Sequence, residues 1–187
     1  MSEEIDLLKL VCERLNQAGV PYMITGSFAA NFYAVPRMTR DLDIVIAIDH
    51  QDEKRLFEIF QNDFYVDQES IKEAIKHQGM FNIIHDQTVF KIDFIVRKDS
   101  SYRTTEFQRK QKLILGNSPI WIVSPEDLVI SKLFWAKDSL SEMQLKDIKN
   151  ILESVKNIDN DYIIQWVQNL DLEAIYKKAI NYEWHIR

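Results

Sequence analysis

Two aspartates separated by a single residue open an apolar stretch of the sequence. Asp41 and Asp43 stand in the run Asp-Leu-Asp, and the residues from Ile44 to Ile48 are all apolar. Because alternate residues of a β-strand face the same side of a sheet, both carboxylates would project together. Adjacent like charges repel each other unless a cation neutralises them. Mg²⁺ prefers carboxylate oxygens and keeps positions open for phosphates, so the pair predicts a magnesium-type site.

Two further features supply what phosphoryl or nucleotidyl transfer needs besides a metal. Gly26-Ser27 precedes a helical stretch: the glycine permits close backbone approach, and the serine hydroxyl can reach a phosphate oxygen. The start of the following helix favours negative charge. Asp93 offers a third carboxylate on a later strand, where it interrupts an apolar run and a charge is otherwise costly.

This ordered set resembles the nucleotidyltransferase superfamily with the DNA polymerase β-type fold, over roughly residues 20–96. The family's signature is an apolar residue with Gly-Ser, then Asp-x-Asp on a strand, then a later strand aspartate. The resemblance implies transfer of a nucleoside monophosphate from an NTP to an acceptor hydroxyl, with release of pyrophosphate. Asp41, Asp43 and Asp93 would be catalytic and hold two Mg²⁺ (or Mn²⁺) ions, and Gly26 and Ser27 would bind the β- and γ-phosphates.

A narrower likeness joins Arg37-x-Thr39 to a later run, Ser124-Pro-Glu-Asp-Leu-x-x-x-Lys132, and to Asp147. This combination resembles minimal bacterial nucleotidyltransferases, including abortive-infection toxins and their relatives. It implies that Arg37, Thr39 and Lys132 help to bind the nucleotide. Two simpler interpretations stay open. Lys132, with nothing to pair, could extend its charge out of a packed helix, and Asp147 could pair with a neighbouring lysine on an exposed helix face.

The elements that must position these residues follow from hydrophobic periodicity and from capping residues. Before Ser124 the pattern predicts, in chain order, a helix over 4–18, a strand over 22–24, a helix capped by Ser27, a strand over 42–48, two helices and a short strand, a hairpin of strands over 80–84 and 89–96, a helix over 101–112 and a strand over 120–123. After Ser124 the chain reads as four helices. We therefore expect an α+β fold: a nucleotidyltransferase-type mixed sheet flanked by helices, then a C-terminal helical bundle. The expected domains are a catalytic core over 1–123 and a helical subdomain over 124–187.

Composition is typical of a globular protein of 187 residues, with 46% hydrophobic and 28% charged residues. No apolar run reaches membrane-spanning length, so we expect no membrane association. The only cysteine, Cys12, cannot form an internal disulfide, and its spacing with Ile5, Leu8 and Leu15 predicts a buried core position. These observations predict a cytoplasmic protein.

The acceptor is left open by the charge distribution. The net charge of −6 disfavours an extensive nucleic-acid surface, yet residues 97–112 hold six basic residues against two acidic ones. That segment is either a solvated helix face or a patch that borders the active site and meets phosphates, as of tRNA. A tRNA, a protein or a small molecule could accept the nucleotide. Two other functions stay open: a toxin–antitoxin component that acts through a protein partner, and a nucleotide-binding module without turnover.

Overall fold

The computed structural model of the protein describes residues 3–39, 41–139 and 141–182. In chain order the elements are α1 (Glu3–Gln17), β1 (Tyr22–Thr25), α2 (Gly26–Tyr33), β2 (Asp41–Ile46), α3 (Glu53–Phe60), β3 (Phe64–Tyr65), α4 (Gln68–His77), β4 (Met80–His85), β5 (Lys91–Val96), α5 (Ser101–Gln108), β6 (Gln111–Leu115), β7 (Ser118–Ile122), α6 (Pro125–Ser139), α7 (Glu142–Ser154), α8 (Asn160–Asn169) and α9 (Glu173–Ile180). The described chain forms two compact units. One contains residues up to Phe28 together with Met38–Val123, and the other contains Ala29–Arg37 together with the residues from Ser124 onward.

The first unit is built on one mixed sheet, which within the described residues has seven strands in the order β3-β4-β5-β2-β1-β7-β6. Strand β2 runs antiparallel to β1 and parallel to β5, and β7 runs parallel to β1. Helix α1 packs against β7, and α4 packs against β4. The apolar face of α1 includes Cys12, which is completely buried as predicted. Burial raises the pKa of this thiol to about 12. The expected α+β architecture with a mixed sheet is confirmed.

Strand β2 shows why its two aspartates share a face. Leu42, Ile44 and Ile46 are buried, whereas Asp41 and Asp43 alternate with them and are more exposed. A strand has a period of two residues, so a shift of register by one residue would exchange the two sets and expose the apolar side chains. The hydrophobic pattern therefore fixes the face on which the carboxylates lie.

The segment after β5 departs from prediction. The expected helix over 101–112 ends at Gln108, and residues 111–115 form β6, which pairs in a hairpin with β7. Gly116 has φ +66° in the two-residue loop between Leu115 and Ser118, as tight hairpin turns require. The Gly-Asn loop was a hairpin signal, but the polar start of β6 resembled the end of an exposed helix.

The second unit contains the four helices expected after Ser124, and α6 packs against α7, α8 and α9. Helix α6 starts with a side-chain cap, because the Ser124 hydroxyl donates to Asp127 Oδ2 at 2.7 Å and accepts from the Asp127 backbone N–H at 3.2 Å. The Tyr162 hydroxyl of α8 donates to Asp127 Oδ1 at 2.7 Å. Every residue from Pro125 to Leu133 is buried, so α6 is the core of this unit. The division into domains over 1–123 and 124–187 stays a prediction.

Candidate active site

Three aspartates and a lysine lie on one face of the sheet, at the start of two neighbouring parallel strands. Asp41 is the direct neighbour of Lys91 across the β2–β5 ladder, and Asp43 is the direct neighbour of Asp93. Neighbouring strands lie about 4.8 Å apart, and residues two apart on one strand share a face. The four positions are thus the corners of a small rectangle, which we call the carboxylate patch (Asp41, Asp43, Lys91 and Asp93).

Lys91 contacts two of the three carboxylates in the carboxylate patch. Its Nζ donates to Asp93 Oδ2 at 2.8 Å and lies 3.8 Å from Asp41 Oδ1. The hydrogen bond with Asp93 raises the pKa of Lys91, so the ammonium stays charged at neutral pH. Sequence reasoning gave Lys91 no role. The available signal was its position two residues before Asp93, which places both side chains on the same face of β5.

The carboxylate patch fits a divalent cation by its chemistry. Asp41, Asp43 and Asp93 provide the hard oxygen donors that Mg²⁺ and Mn²⁺ take. Among the residues that the structure describes, no three carboxylates, imidazoles or thiols are gathered closely enough to enclose a metal ion. The positive charge at the patch is instead the Lys91 ammonium.

Gly26 lies directly against the carboxylate patch. Strand β1 ends at Thr25, the direct neighbour of Asp43, and Gly26 begins α2 with φ +66°. A Cβ atom added to Gly26 would overlap the Asp43 carboxylate. Glycine is therefore required twice, by the left-handed backbone and by the close approach of Asp43. Ser27 is half-buried and lies inside the first turn of α2, so it does not cap a helix that begins at Phe28, as the sequence had suggested.

We expect Gly26→Ala to displace the Asp43 carboxylate, because the new methyl group would occupy its place. Gly19→Ala is a matched control: Gly19 also has φ +66°, but no atom lies within 4 Å of its added Cβ. The left-handed backbone should cost each variant about 1–2 kcal/mol of unfolding free energy. Only Gly26→Ala should also weaken Mn²⁺ binding, as measured by calorimetric titration. Equal Mn²⁺ affinity in both variants would contradict the assigned contact.

A buried ionic cluster lies within the second unit. The Arg37 guanidinium donates to both carboxylate oxygens of Asp147, at 3.0 Å each. Lys132 Nζ donates to Asp147 Oδ2 and to Gln144 Oε1, at 2.9 Å each. Burial raises the pKa of Asp147, but the hydrogen bonds and charges of Arg37 and Lys132 outweigh it and hold that pKa below its usual range. We call this set the Asp147 cluster (Arg37, Lys132, Gln144 and Asp147).

The Asp147 cluster corrects both of the simpler interpretations of Lys132 and Asp147. Lys132 does not lack a partner and does not extend its charge into solvent, because its side chain is only 4% exposed and pairs with Asp147. Asp147 is likewise buried, so the idea of a pair on an exposed helix face is wrong. The Asn31 side chain bonds to both the backbone N–H and the carbonyl of Arg37, which holds that backbone in place. Nucleotide binding by Arg37 and Lys132 stays a prediction.

The remaining candidates lie in the first unit. Thr39 donates its hydroxyl to the Asp41 carbonyl at 3.2 Å, just before β2 starts, and its role in nucleotide binding also stays a prediction. The basic segment 97–112 begins after the last residue of β5, whereas Asp93 lies in the first half of that strand. Within the segment, Arg97 pairs with Asp99 and Arg103 pairs with Glu106. These ion pairs favour the interpretation of a structural segment over a phosphate-binding surface.

Comparison with known families gives a match over most of the chain. Residues 7–151 match the sequence profile of a family described as aminoglycoside-2''-adenylyltransferase. The matched region contains the carboxylate patch, Gly26 and the Asp147 cluster. A search of curated proteins found no match.

Solved structures share the fold at low sequence identity. An antigenic nucleotidyltransferase-like protein from Paracoccidioides brasiliensis is 20% identical, with a TM-score of 0.54 over 95% of this chain and 94% of that one. The antibiotic-resistance factor ANT(2'')-Ia, in complex with adenylyl-2''-tobramycin, is 12% identical, with a TM-score of 0.55 over 94% of this chain and 99% of that one. The lincosamide antibiotic adenylyltransferase LnuA, bound to lincomycin, is 14% identical, with a TM-score of 0.54 over 83% and 99%.

Proposed function

The chain belongs to the aminoglycoside-2''-adenylyltransferase family, and from that premise we propose that it transfers a nucleoside monophosphate from an NTP to a hydroxyl group of a small molecule. Pyrophosphate is the second product. The observation that carries this proposal is the contact of the Gly26 turn with Asp43, which is itself in register with Asp93. The proposal is supported because the turn to which we assign phosphate binding lies beside a set of carboxylates, and nucleotidyl transfer uses both.

Asp41 and Asp43 would hold two Mg²⁺ or Mn²⁺ ions, and Asp93 would share in holding one of them. The bound cations would offset the charge of the triphosphate and of the departing pyrophosphate. Asp93 would also help the acceptor hydroxyl to lose its proton. The Gly26 backbone N–H and the Ser27 hydroxyl would donate to the β- and γ-phosphates.

Arg37, Thr39 and Lys132 are the other residues to which we assign a part in nucleotide binding. Arg37 and Lys132 would add positive charge toward the triphosphate, and Thr39 would support the entry to β2 through its bond to the Asp41 carbonyl. Asp147 accepts hydrogen bonds of 2.9–3.0 Å from the side chains of both Arg37 and Lys132. It would therefore orient these basic groups rather than contact the substrate.

A cationic small molecule is the acceptor class that the charge of this chain favours. A net charge of −6 attracts polycations and repels a long polyanion such as tRNA. One protein of the same fold is named a lincosamide antibiotic adenylyltransferase, and another, an antibiotic-resistance factor, has been solved in complex with adenylyl-2''-tobramycin. We therefore propose ATP as the nucleotide donor and an amino-sugar or related amine with free hydroxyl groups as the acceptor.

A labelling experiment tests the proposal. Each α-labelled NTP is incubated with the protein and with Mg²⁺ or Mn²⁺, and an aminoglycoside, a lincosamide, bulk tRNA or a protein extract is offered as the acceptor. We expect label from ATP on a cationic small molecule, with pyrophosphate released in equal amount. Label on tRNA or on protein would overturn the acceptor class. Nucleotide binding without transfer to any acceptor would favour the non-catalytic module, and transfer to one protein partner would favour a toxin–antitoxin role.

A cytoplasmic location stays a prediction as well. No helix in the described ranges is long and apolar enough to cross a membrane.

A further inference from the structure

Lys91 occupies the place in the carboxylate patch where positive charge is needed. The Asp93 side chain is only 8% exposed, so its negative charge is costly unless a cation lies beside it. Lys91 supplies that cation through a hydrogen bond of 2.8 Å, and the same ammonium lies 3.8 Å from Asp41. One lysine thus contacts both strands that carry the carboxylates.

A metal ion at Asp93 and the ammonium in its present place exclude each other. Both would use the same carboxylate group, and an ammonium about 3 Å from Asp93 would lie within a few ångströms of a divalent ion, where like charges repel strongly. The Lys91 side chain is 40% exposed, so it has a path into solvent, whereas Asp93 is fixed in the middle of the sheet. When a metal ion arrives, Lys91 is the group that moves.

We propose that Lys91 is a tethered cation that holds Asp93 in the metal-free protein and competes with the divalent metal for it. This inference rests on the proposed metal-dependent function. When no metal is bound, the ammonium reduces the electrostatic repulsion between the carboxylates. It also makes the free energy of metal binding less favourable by the free energy of its own contact with Asp93, because that contact must be broken first. Lys91 is a positioning residue in this role, since it acts through Asp93.

The alternative is an ordinary ion pair that persists when metal binds elsewhere on the patch. The two cases differ in a measurable coupling. If metal displaces Lys91, removing the lysine destabilises the metal-free protein but leaves the metal-saturated protein unaffected. Thermodynamic linkage then makes the loss of stability equal to the gain in metal affinity. If the pair persists, the loss of stability is the same with and without metal.

The test compares wild type with Lys91→Met and Lys91→Gln, using Mn²⁺ alone as the probe. Lys98→Met is the matched control, because Lys98 is exposed and lies beyond the other end of β5. We expect the Lys91 variants to bind Mn²⁺ about tenfold more tightly than wild type, the order expected for loss of a hydrogen bond between charged groups. Lys98→Met should bind like wild type. Denaturant unfolding should show the Lys91 variants less stable than wild type without Mn²⁺ and equal to it at saturation.

Equal Mn²⁺ affinity in wild type and both Lys91 variants, with a stability difference that Mn²⁺ does not change, would overturn the inference. The proposed function has its own control in this experiment. If wild type binds Mn²⁺ and Asp43→Asn does not, the metal site stands whatever the Lys91 variants show. If neither wild type nor any Lys91 variant binds Mn²⁺, the metal site and the role of Lys91 fall together.

Discussion

Asp43→Asn is expected to reduce nucleotidyl transfer about a thousandfold or more, which corresponds to about 4 kcal/mol of transition-state stabilisation. Asp43 is the corner of the carboxylate patch that lies against Gly26, and it is the direct neighbour of Asp93 on the adjacent strand. Asparagine keeps the shape of the side chain but loses the charge that would hold a metal ion. The strand should keep its register, since Leu42 and Ile44 remain buried.

The matched control is Asp86→Asn, the same substitution at an exposed residue in the turn between β4 and β5. Transfer of label from ATP is measured together with the melting temperature, with and without Mn²⁺ plus nucleotide. Wild type and Asp86→Asn should be stabilised by the ligands together more than by either alone, because coupled ligands add to the stability of the folded state. An Asp43→Asn variant that retains both turnover and this ligand-dependent shift would remove the carboxylate patch from the mechanism.

Asp147→Ala should lower the free energy of unfolding by about 3–5 kcal/mol, the range for a buried charge left without its partner. The side chain of Lys132 is only 4% exposed, so its ammonium would keep the contact with Gln144 but lose the buried carboxylate of Asp147. Chemical denaturation followed by circular dichroism measures the loss. Asp161→Ala, in the exposed first turn of α8, is the control and should change stability little.

The double variant Lys132→Met/Asp147→Ala should recover part of this loss, since removing both charges leaves no uncompensated ion in the core. Acid provides a second check. The folded-state pKa of Asp147 lies below its ordinary value of 3.8, so its stabilisation is fully present above that value and is lost as the pH falls further through the folded-state pKa. The stability gap between wild type and Asp147→Ala should therefore be constant near neutral pH and should shrink below pH 3.8. A gap that does not change with acid would contradict the ionic role.

The fold was predictable because the strongest local patterns agree with one another. The alternation of Asp41 and Asp43 with apolar residues predicted strand β2. The mixed sheet was predicted from the resemblance to nucleotidyltransferases, which the family match confirms. The hairpin of β4 and β5 was also predicted correctly, although Val89 has φ +55° and is excluded from the strand. The narrower resemblance to abortive-infection proteins stays a prediction.

Side-chain partners were harder to predict, for physical reasons that differ between the two sites. Arg37 and Asp147 are 110 residues apart, and no local pattern reports a contact over such a separation. A lysine in an apolar helix therefore seemed unpaired when its partner lay on the next helix. Lys91 was overlooked because a lysine at the start of a strand is common. Its spacing from Asp93 predicts a shared face of the strand, but the neighbouring Asp41 is seen only from the register of β2 and β5.

The complete burial of Cys12 makes the folded chain unreactive toward thiol reagents. The thiolate is the reactive form, and a pKa raised to about 12 leaves almost no thiolate at neutral pH. This holds even if a reagent could reach the buried face of α1. The chain has no other cysteine. A cysteine introduced on an exposed surface would therefore be the only residue that reacts with a fluorophore or spin label, and Cys12 need not be replaced. One such cysteine in each unit would allow the distance between two labels to be measured.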